Sequence, residues 1–449
     1  LGSGRLVLRQ RSGRDVGEID IGRSPIRGIA VDGGRAYAAT DRELVGFALL
    51  YRAQWDLLAG RGADEAVLAR GRSLTEGAER SWLTPTVGAT WAKMLDDFPS
   101  ARDQYQAYVR EGEAAGDDIA MVSNLAYLAE IAIRTGDPDE AERLISRALT
   151  IGAGMGSSTW EALALAPAAL VDALRGRHPE AVARSNRILE LIGDADEPLI
   201  EAHARSVLGF VALTEGDPVG ADRELSRADA GLEAMGMVEP APYRFHADHV
   251  EAVVAMGDLD RAESLVRRLE ARQAVLPKPW TSVMTARTRG LVQAARGDLE
   301  DAEASARMAL AGYPRLAMPF ERARDLVLLA VLLRRRRRRA EAADLLAEAA
   351  GLFDRLGSPR WAERARDELA RLGTQPGEAG RLTPSEDRIA RLAGNGLTNR
   401  EVADRLRISP KTVEANLARA YAKLGIRTRA ELGRWASDEG RRAADDRAG

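Results

Sequence analysis

Small and apolar residues recur along the middle of the chain with a pitch near forty. Gly136-Asp137, Gly176, Gly216-Asp217, Gly257-Asp258 and Gly297-Asp298 follow one another at intervals of 40, 40, 41 and 40, and Arg337 falls in a sixth slot. Five residues after each slot stands Ala141, Ala181, Ala221, Ala262, Ala302 or Ala342. Seven before stand Ala129, Ala169, Gly209, Val250, Gly290 and Ala330, and twelve after stand Ala148, Ile188, Ala228, Leu269, Ala309 and Ala349. Columns of small residues on this spacing predict two helices joined by a glycine turn. The small side chains let the backbones approach, and the glycine supplies the left-handed cap between them. One such hairpin cannot bury its apolar face alone, so neighbours must stack into a solenoid with a continuous core. Weaker copies are expected at Ala89, Ala101 and Tyr108 and around Ala66, which extends the helical array over residues 41–372.

The ends of the chain depart from this pattern. Residues 1–40 carry short β-like runs at Arg5–Arg9, Val16–Ile21 and Ile26–Thr40, and no role follows from them. The chain begins with leucine, so this stretch also reads as a processed or truncated end. Residues 373–380, rich in glycine, read as a flexible linker, and residues 438–449 as a frayed tail. Between them, residues 381–437 show three short helices. Thr383, Pro384 and Glu386 form a capping box that opens the first, whose Ile389, Leu392 and Ala393 share a face before Gly394-Asn395-Gly396 stops it. Thr398 and Glu401 repeat the capping spacing, with Val402, Ala403 and Leu406 as the buried stripe of the second helix. Arg407 and Ile408 make the turn, and Ser409-Pro410 caps a third helix with Val413, Leu417, Ala420, Tyr421 and Leu424 on its core side. Lys411, Glu414, Ala415, Ala418, Arg419 and Ala422 fall mostly on the other side, short-chained and partly basic, as suits a helix pressed into a major groove.

Two resemblances rest on these residues. The run from Gly136-Asp137 through Ala141 to Ala148, with its copies, resembles the tetratricopeptide repeat over roughly residues 85–370. Its pitch exceeds the usual 34 residues or so, which implies longer helices or connectors. Leu382 to Glu386, Gly396 to Ala403, Ile408 to Val413 and Lys423 to Ile426 match, in order and spacing, the C-terminal DNA-binding domain of LuxR-type regulators. That resemblance implies a four-helix domain whose fourth helix, Thr428 to Ala436, commonly dimerises. It also implies base-edge contacts from Glu414, Ala415 and Ala418, and phosphate contacts from Asn399, Arg400, Lys411, Thr412, Arg419 and Lys423, with Thr398 grouped beside them. Asn416 stands where many members carry histidine, and Arg388 where an acidic residue is common. Large ATP-binding LuxR-type regulators resemble this chain in their repeat region, but no Gly-x-x-x-x-Gly-Lys-Ser/Thr phosphate loop occurs here.

Composition narrows the chemistry. The chain has 449 residues, 45% hydrophobic and 30% charged, which fits globular domains rather than a disordered or membrane-spanning chain. It has no cysteine, which excludes disulfides, thiolate zinc sites, iron–sulfur clusters and cysteine nucleophiles. With neither a secretory signal nor a long uncharged apolar run, the expected compartment is the cytoplasm. The net charge of −3 is unevenly placed: residues 381–435 carry 12 Lys+Arg against 6 Asp+Glu, or +6, which leaves −9 elsewhere. A basic unit beside an acidic one points to a polyanionic partner for the former.

Other features favour plain readings. Gly152-Ala153-Gly154-Met155-Gly156 mimics a dinucleotide loop, but no strand precedes it, and Met235-Gly236 and Leu356-Gly357 mark the same repeat junction. His246 and His249 lack a third metal ligand nearby and read as packing or surface residues. Arg334–Arg339 reads as a solvated hairpin turn, and Pro277, Pro279 and Trp280 as a connector with a packed aromatic. The expected fold is all-α: a tetratricopeptide-like solenoid followed by a four-helix LuxR-type helix-turn-helix domain, behind a short β-like segment. The expected function is a sequence-specific transcription regulator that binds double-stranded DNA as a homodimer, its repeats sensing an effector or docking a partner. No enzyme activity, cofactor, metal or membrane is expected. The alternative is a repeat scaffold for protein–protein interaction with an accessory DNA-binding module.

Overall fold

The repeated hairpin turn is a left-handed residue followed by the N-cap position of the next helix. The computed structural model describes residues 5–9, 15–20, 41–76, 83–193, 195, 197–372, 382, 384–406, 408, 410–424, 426, 428, 429 and 431–436. Gly136, Gly176, Gly216, Gly257 and Gly297 have φ between 76° and 96°. Asp137, Asp217 and Asp258 then accept from the backbone N–H three residues on, at 2.9, 2.9 and 3.2 Å. Arg337 takes the same conformation in the sixth slot (φ 64°), and Asp96, 40 residues before Gly136, takes it in an earlier one (φ 66°). Arg337 is exposed, and a Cβ in this region costs roughly 1 kcal/mol. Arg337→Gly is therefore expected to stabilise the repeats by about 1 kcal/mol, read as a higher urea midpoint. An unchanged or lower midpoint would contradict this.

The chain divides into two compact units, Leu1–Ala365 and Arg366–Gly449. The first opens with an antiparallel pair, β1 (Arg5–Arg9) and β2 (Asp15–Asp20), where β-like runs were expected. The run over residues 26–40 lies outside the described residues. Helices then pair in sequence: α1 (Asp41–Leu58) with α2 (Glu65–Thr75), α3 (Leu83–Met94) with α4 (Phe98–Ala115), α5 (Asp118–Thr135) with α6 (Pro138–Gly154), and α7 (Ser158–Leu174) with α8 (His178–Ile192). They continue as α9 (Pro198–Thr214) with α10 (Pro218–Ala234), α11 (His246–Ala255) with α12 (Leu259–Val275), α13 (Pro279–Arg296) with α14 (Leu299–Gly312), and α15 (Pro319–Arg335) with α16 (Arg339–Arg355), followed by α17 (Pro359–Arg371). Helices α5, α6, α7, α9 and α10 run 17 or 18 residues each, which accounts for a forty-residue pitch.

All three sequence columns are buried. The six alanines after the turns are fully inaccessible, as are Ala129, Ala169, Val250 and Ala330 before them. At Gly209 the space is taken: a Cβ there would lie 2.4 Å from Leu225 Cγ, so the two helices meet only because that side chain is missing. The copy expected around Ala66 forms as α1–α2, but with a shifted register. Ala66 is exposed, and the buried position four residues beyond the Asp64 cap is Leu68. The Gly152–Gly156 run ends α6 and turns at Gly156 (φ 64°), as a repeat junction does.

Hairpins far apart in sequence also touch. One core joins α5–α9 to α15–α17, with Phe210 6.1 Å from the rings of both Phe320 and Trp361. Asp96 accepts at 2.7 Å from the N–H of Trp280 in the first turn of α13, 184 residues away, and pairs with buried Arg244 at 2.7 Å. Lys278, the N-cap residue of α13, makes no side-chain cap there, so Asp96 serves that helix end. The left-handed Asp96 thus has a use that glycine could not fill. Ser358 donates to Leu174 O at 2.6 Å, also across 184 residues. The arginine run is a largely exposed turn, as expected, and it is also tethered: Arg335 donates to Ala294 O at 3.0 Å, and Arg336 and Arg338 pair with Glu303 at 2.6 and 2.7 Å.

Buried histidines set the pH response of this unit. Burial lowers His203 and His246 to about 4, and also lowers His249. Unfolding restores each to about 6.5, so the unfolded chain binds more protons between pH 4 and 6.5, and stability rises with pH across that window. Asp325, raised to about 6 by burial, and Asp248, also raised by burial, oppose them as two groups against three. The urea midpoint is expected to fall between pH 6.5 and 4.5, and a midpoint that rises on acidification would contradict the assignment.

Candidate nucleic-acid interface

Four short helices make the second unit's core. These are α18 (Pro384–Gly394), α19 (Asn399–Leu406), α20 (Pro410–Leu424) and a last turn of helix over residues 431–436. Ile389, Ala390, Ala393, Val402, Ala403, Val413, Leu417, Ala420 and Leu432 form one buried cluster, with Leu392, Leu406, Tyr421 and Leu424 packed against it. The stripes expected from sequence therefore all face inward. Gly394 is where α18 meets the last helix: a Cβ there would lie 2.8 Å from Ala436 Cβ and 3.0 Å from Leu432 O. Gly396 turns the chain with φ 94°.

The start of α19 carries the capping box expected there. Glu401 accepts from the Thr398 N–H at 2.7 Å and from its hydroxyl at 2.8 Å, and Thr398 Oγ1 accepts from Glu401 N–H at 3.3 Å. The Thr398 donors hold the Glu401 carboxyl below its ordinary range. The hydroxyl proton of Thr398 is thus committed to the cap. Thr428 and Glu431 repeat the box at the last helix, through two contacts of 3.3 Å. Sequence reading missed this second box, although the spacing from Thr428 to Glu431 is the same. It also missed Arg429, whose guanidinium donates to Leu397 O and, at 3.1 Å, to Asn399 Oδ1.

Helix α20 has two sides. Val413, Leu417 and Ala420 are buried, while Pro410, Glu414 and Ala418 are exposed, and Arg400 is exposed on α19. Of the expected DNA-contacting residues, Thr398, Asn399 and Arg400 thus gather at the start of α19, and Glu414 and Ala418 lie on the open side of α20. The side chains of Lys411, Thr412, Ala415, Arg419 and Lys423 lie outside the described residues, as do Thr383, Arg407 and Ser409. An exposed helix side with a short residue at its centre can approach base edges that a bulky side would keep at a distance.

Residues 381–436 match the bacterial regulatory proteins of the luxR family. The C-terminal unit is a LuxR-family helix-turn-helix domain. The chain is also similar to proteins named as HTH-type transcriptional regulators in Mycobacterium bovis and in two strains of Mycobacterium tuberculosis. Each is 28% identical over 267 residues, which cover 50% of this chain and 30% of the relative. The match thus spans well under half the length of those relatives. The crystal structure of a Rap protein complexed with competence and sporulation factor covers 75% of this chain and 87% of its own, at 16% identity and a TM-score of 0.48.

In the repeat unit, one cluster has the residue types of a catalytic triad but not its arrangement. Ser226, His249 and Asp222 meet, but Oγ and the carboxylate approach the same ring nitrogen, Nε2, at 3.3 and 3.0 Å. A nucleophile–base–acid relay needs the two partners on opposite nitrogens. His246 lies 3.8 Å from Asp229 and His249 3.0 Å from Asp222, and among the described residues no group of three His, Cys, Asp or Glu is placed to hold a metal ion. Among the described residues, no helix is long and apolar enough to cross a membrane.

Proposed function

We propose that this chain is a sequence-specific, DNA-binding transcription regulator, acting in the cytoplasm as a homodimer on promoter DNA. The observation that carries the reading is the open side of α20, with Glu414 and Ala418 exposed opposite the buried Val413 and Leu417, within a LuxR-family domain. In this reading Glu414, Ala415 and Ala418 meet base edges. Asn399, Arg400, Lys411, Thr412, Arg419 and Lys423 meet the phosphates and set the register, while Thr398 caps the helix that carries the first two. The net charge of +6 over residues 381–435 supplies the attraction to duplex phosphates.

The repeats receive the signal, by taking an effector or a protein partner. Helices α9, α15 and α17 already pack on one another through Phe210, Phe320 and Trp361, so an occupant that enters between them competes with the chain's own contacts. That competition couples binding to a change in the array, which the segment at residues 373–380 passes on. The test is selection of duplexes by the full chain from a random library at about 50 mM salt. An enriched motif with two half-sites supports the reading, and no enrichment over a scrambled control refutes it.

A further inference from the structure

We propose that Arg429 is a positioning residue for DNA binding: it holds the Asn399 side-chain amide with its NH2 group turned outward as a phosphate donor. This inference rests on the DNA-binding reading above and deepens it. A guanidinium can only donate, so the Asn399 atom that meets Arg429 Nη1 at 3.1 Å must be the carbonyl oxygen Oδ1. The amide is thereby fixed in one of its two orientations, and its two N–H donors point away from Arg429. The second arm of the same guanidinium binds Leu397 O, the residue before the capping threonine. Arg429 therefore spans the entry to α19 and ties it to the last helix, at a point where Thr398 already spends its hydroxyl on Glu401.

The consequence is a division of labour at this helix start. Thr398 and Glu401 satisfy the helix end, and Asn399 is left as the oriented neutral donor beside the exposed Arg400. A freely rotating asparagine would present oxygen to a phosphate as often as NH2. Arg429 removes that alternative, and its charge is spent on protein acceptors rather than on the duplex.

The test uses the full chain and a duplex taken from the selection above, with affinity measured across a salt series and thermal melting measured in parallel. Asn399→Ala and Arg429→Ala are each expected to weaken affinity about tenfold, and the double variant to be no weaker than Asn399→Ala alone. The salt slope of Arg429→Ala is expected to equal that of the wild type, because the contact it weakens is made by a neutral amide and no cation is withdrawn from a phosphate. Asn399→Asp keeps the acceptor for Arg429 and so keeps the melting temperature, but it is expected to bind worse than Asn399→Ala, since a carboxylate now faces the phosphate. Additive losses, a slope lowered by about one unit in Arg429→Ala, or wild-type affinity in Asn399→Asp would each overturn the proposal. If the wild-type chain binds no duplex at all, the DNA-binding reading itself has failed, and that outcome is separate from the others.

Discussion

Ala418→Trp is expected to abolish sequence-specific duplex binding while leaving the C-terminal unit folded. Ala418 is exposed on α20 between turns whose core residues, Val413, Leu417 and Ala420, are buried. A substitution pointing to solvent changes stability by about 0.5 kcal/mol or less. In a groove the same indole would hold the helix away from the bases. Each lost bidentate base contact costs about 1–3 kcal/mol, and losing two of them weakens binding roughly a hundredfold or more. Residual affinity should then depend on salt but not on sequence. Competition binding with selected and scrambled duplexes measures both quantities. A variant that still discriminates between them would show that α20 does not lie against the bases.

Arg324→Met is expected to destabilise the repeat unit by about 3–5 kcal/mol. The Arg324 side chain is 2% exposed and meets Asp248 at 2.7 Å, Glu251 at 2.8 Å and Glu321 at 3.3 Å. Its guanidinium also lies 5.2 Å from the ring of Trp361 and 5.6 Å from that of Phe210. Arg287, 4% exposed, pairs with Glu251, Glu321 and Asp325. Burial opposes ionisation of all four carboxyls. Arg324 and Arg287 overcome it at Glu251, held at about 2, and at Glu321, also lowered, whereas burial prevails at Asp248 and Asp325. Methionine fills much of the volume but leaves three buried carboxylates without that cation. The deficit is expected to shrink between pH 7 and 5, because the stranded carboxyls can then take up protons. Urea unfolding at both pH values measures it, and a loss under about 1 kcal/mol at pH 7 would contradict a structural role for the network.

Local chemistry was legible in the sequence because it repeats or follows fixed spacing. The left-handed slots, the buried alanine columns and the Thr398–Glu401 box all stand where the residue pattern placed them. The slip at Ala66 came from matching an alanine where the buried side chain is Leu68, four residues beyond a cap that Asp64 marks plainly. The contacts across the array left no such trace. Asp96 reaches Trp280 and Ser358 reaches Leu174 over 184 residues each, and neither pair has a periodic counterpart. Arg324 sits in an apparently ordinary helix, and only the folded array shows that three carboxylates and two aromatic rings surround it. Arg429 likewise reads as one more basic residue in a basic unit until its fork is seen on Asn399 and Leu397.

The central claim is that α20 enters the major groove. Methylation protection on a selected duplex tests it directly, since dimethyl sulfate attacks guanine N7 in the major groove and adenine N3 in the minor groove. With the full chain bound at saturation, guanine N7 positions within each half-site should be protected, while adenine N3 reactivity stays that of free DNA. Saturated binding with every guanine N7 still reactive, or with protection confined to adenine N3, would contradict the account.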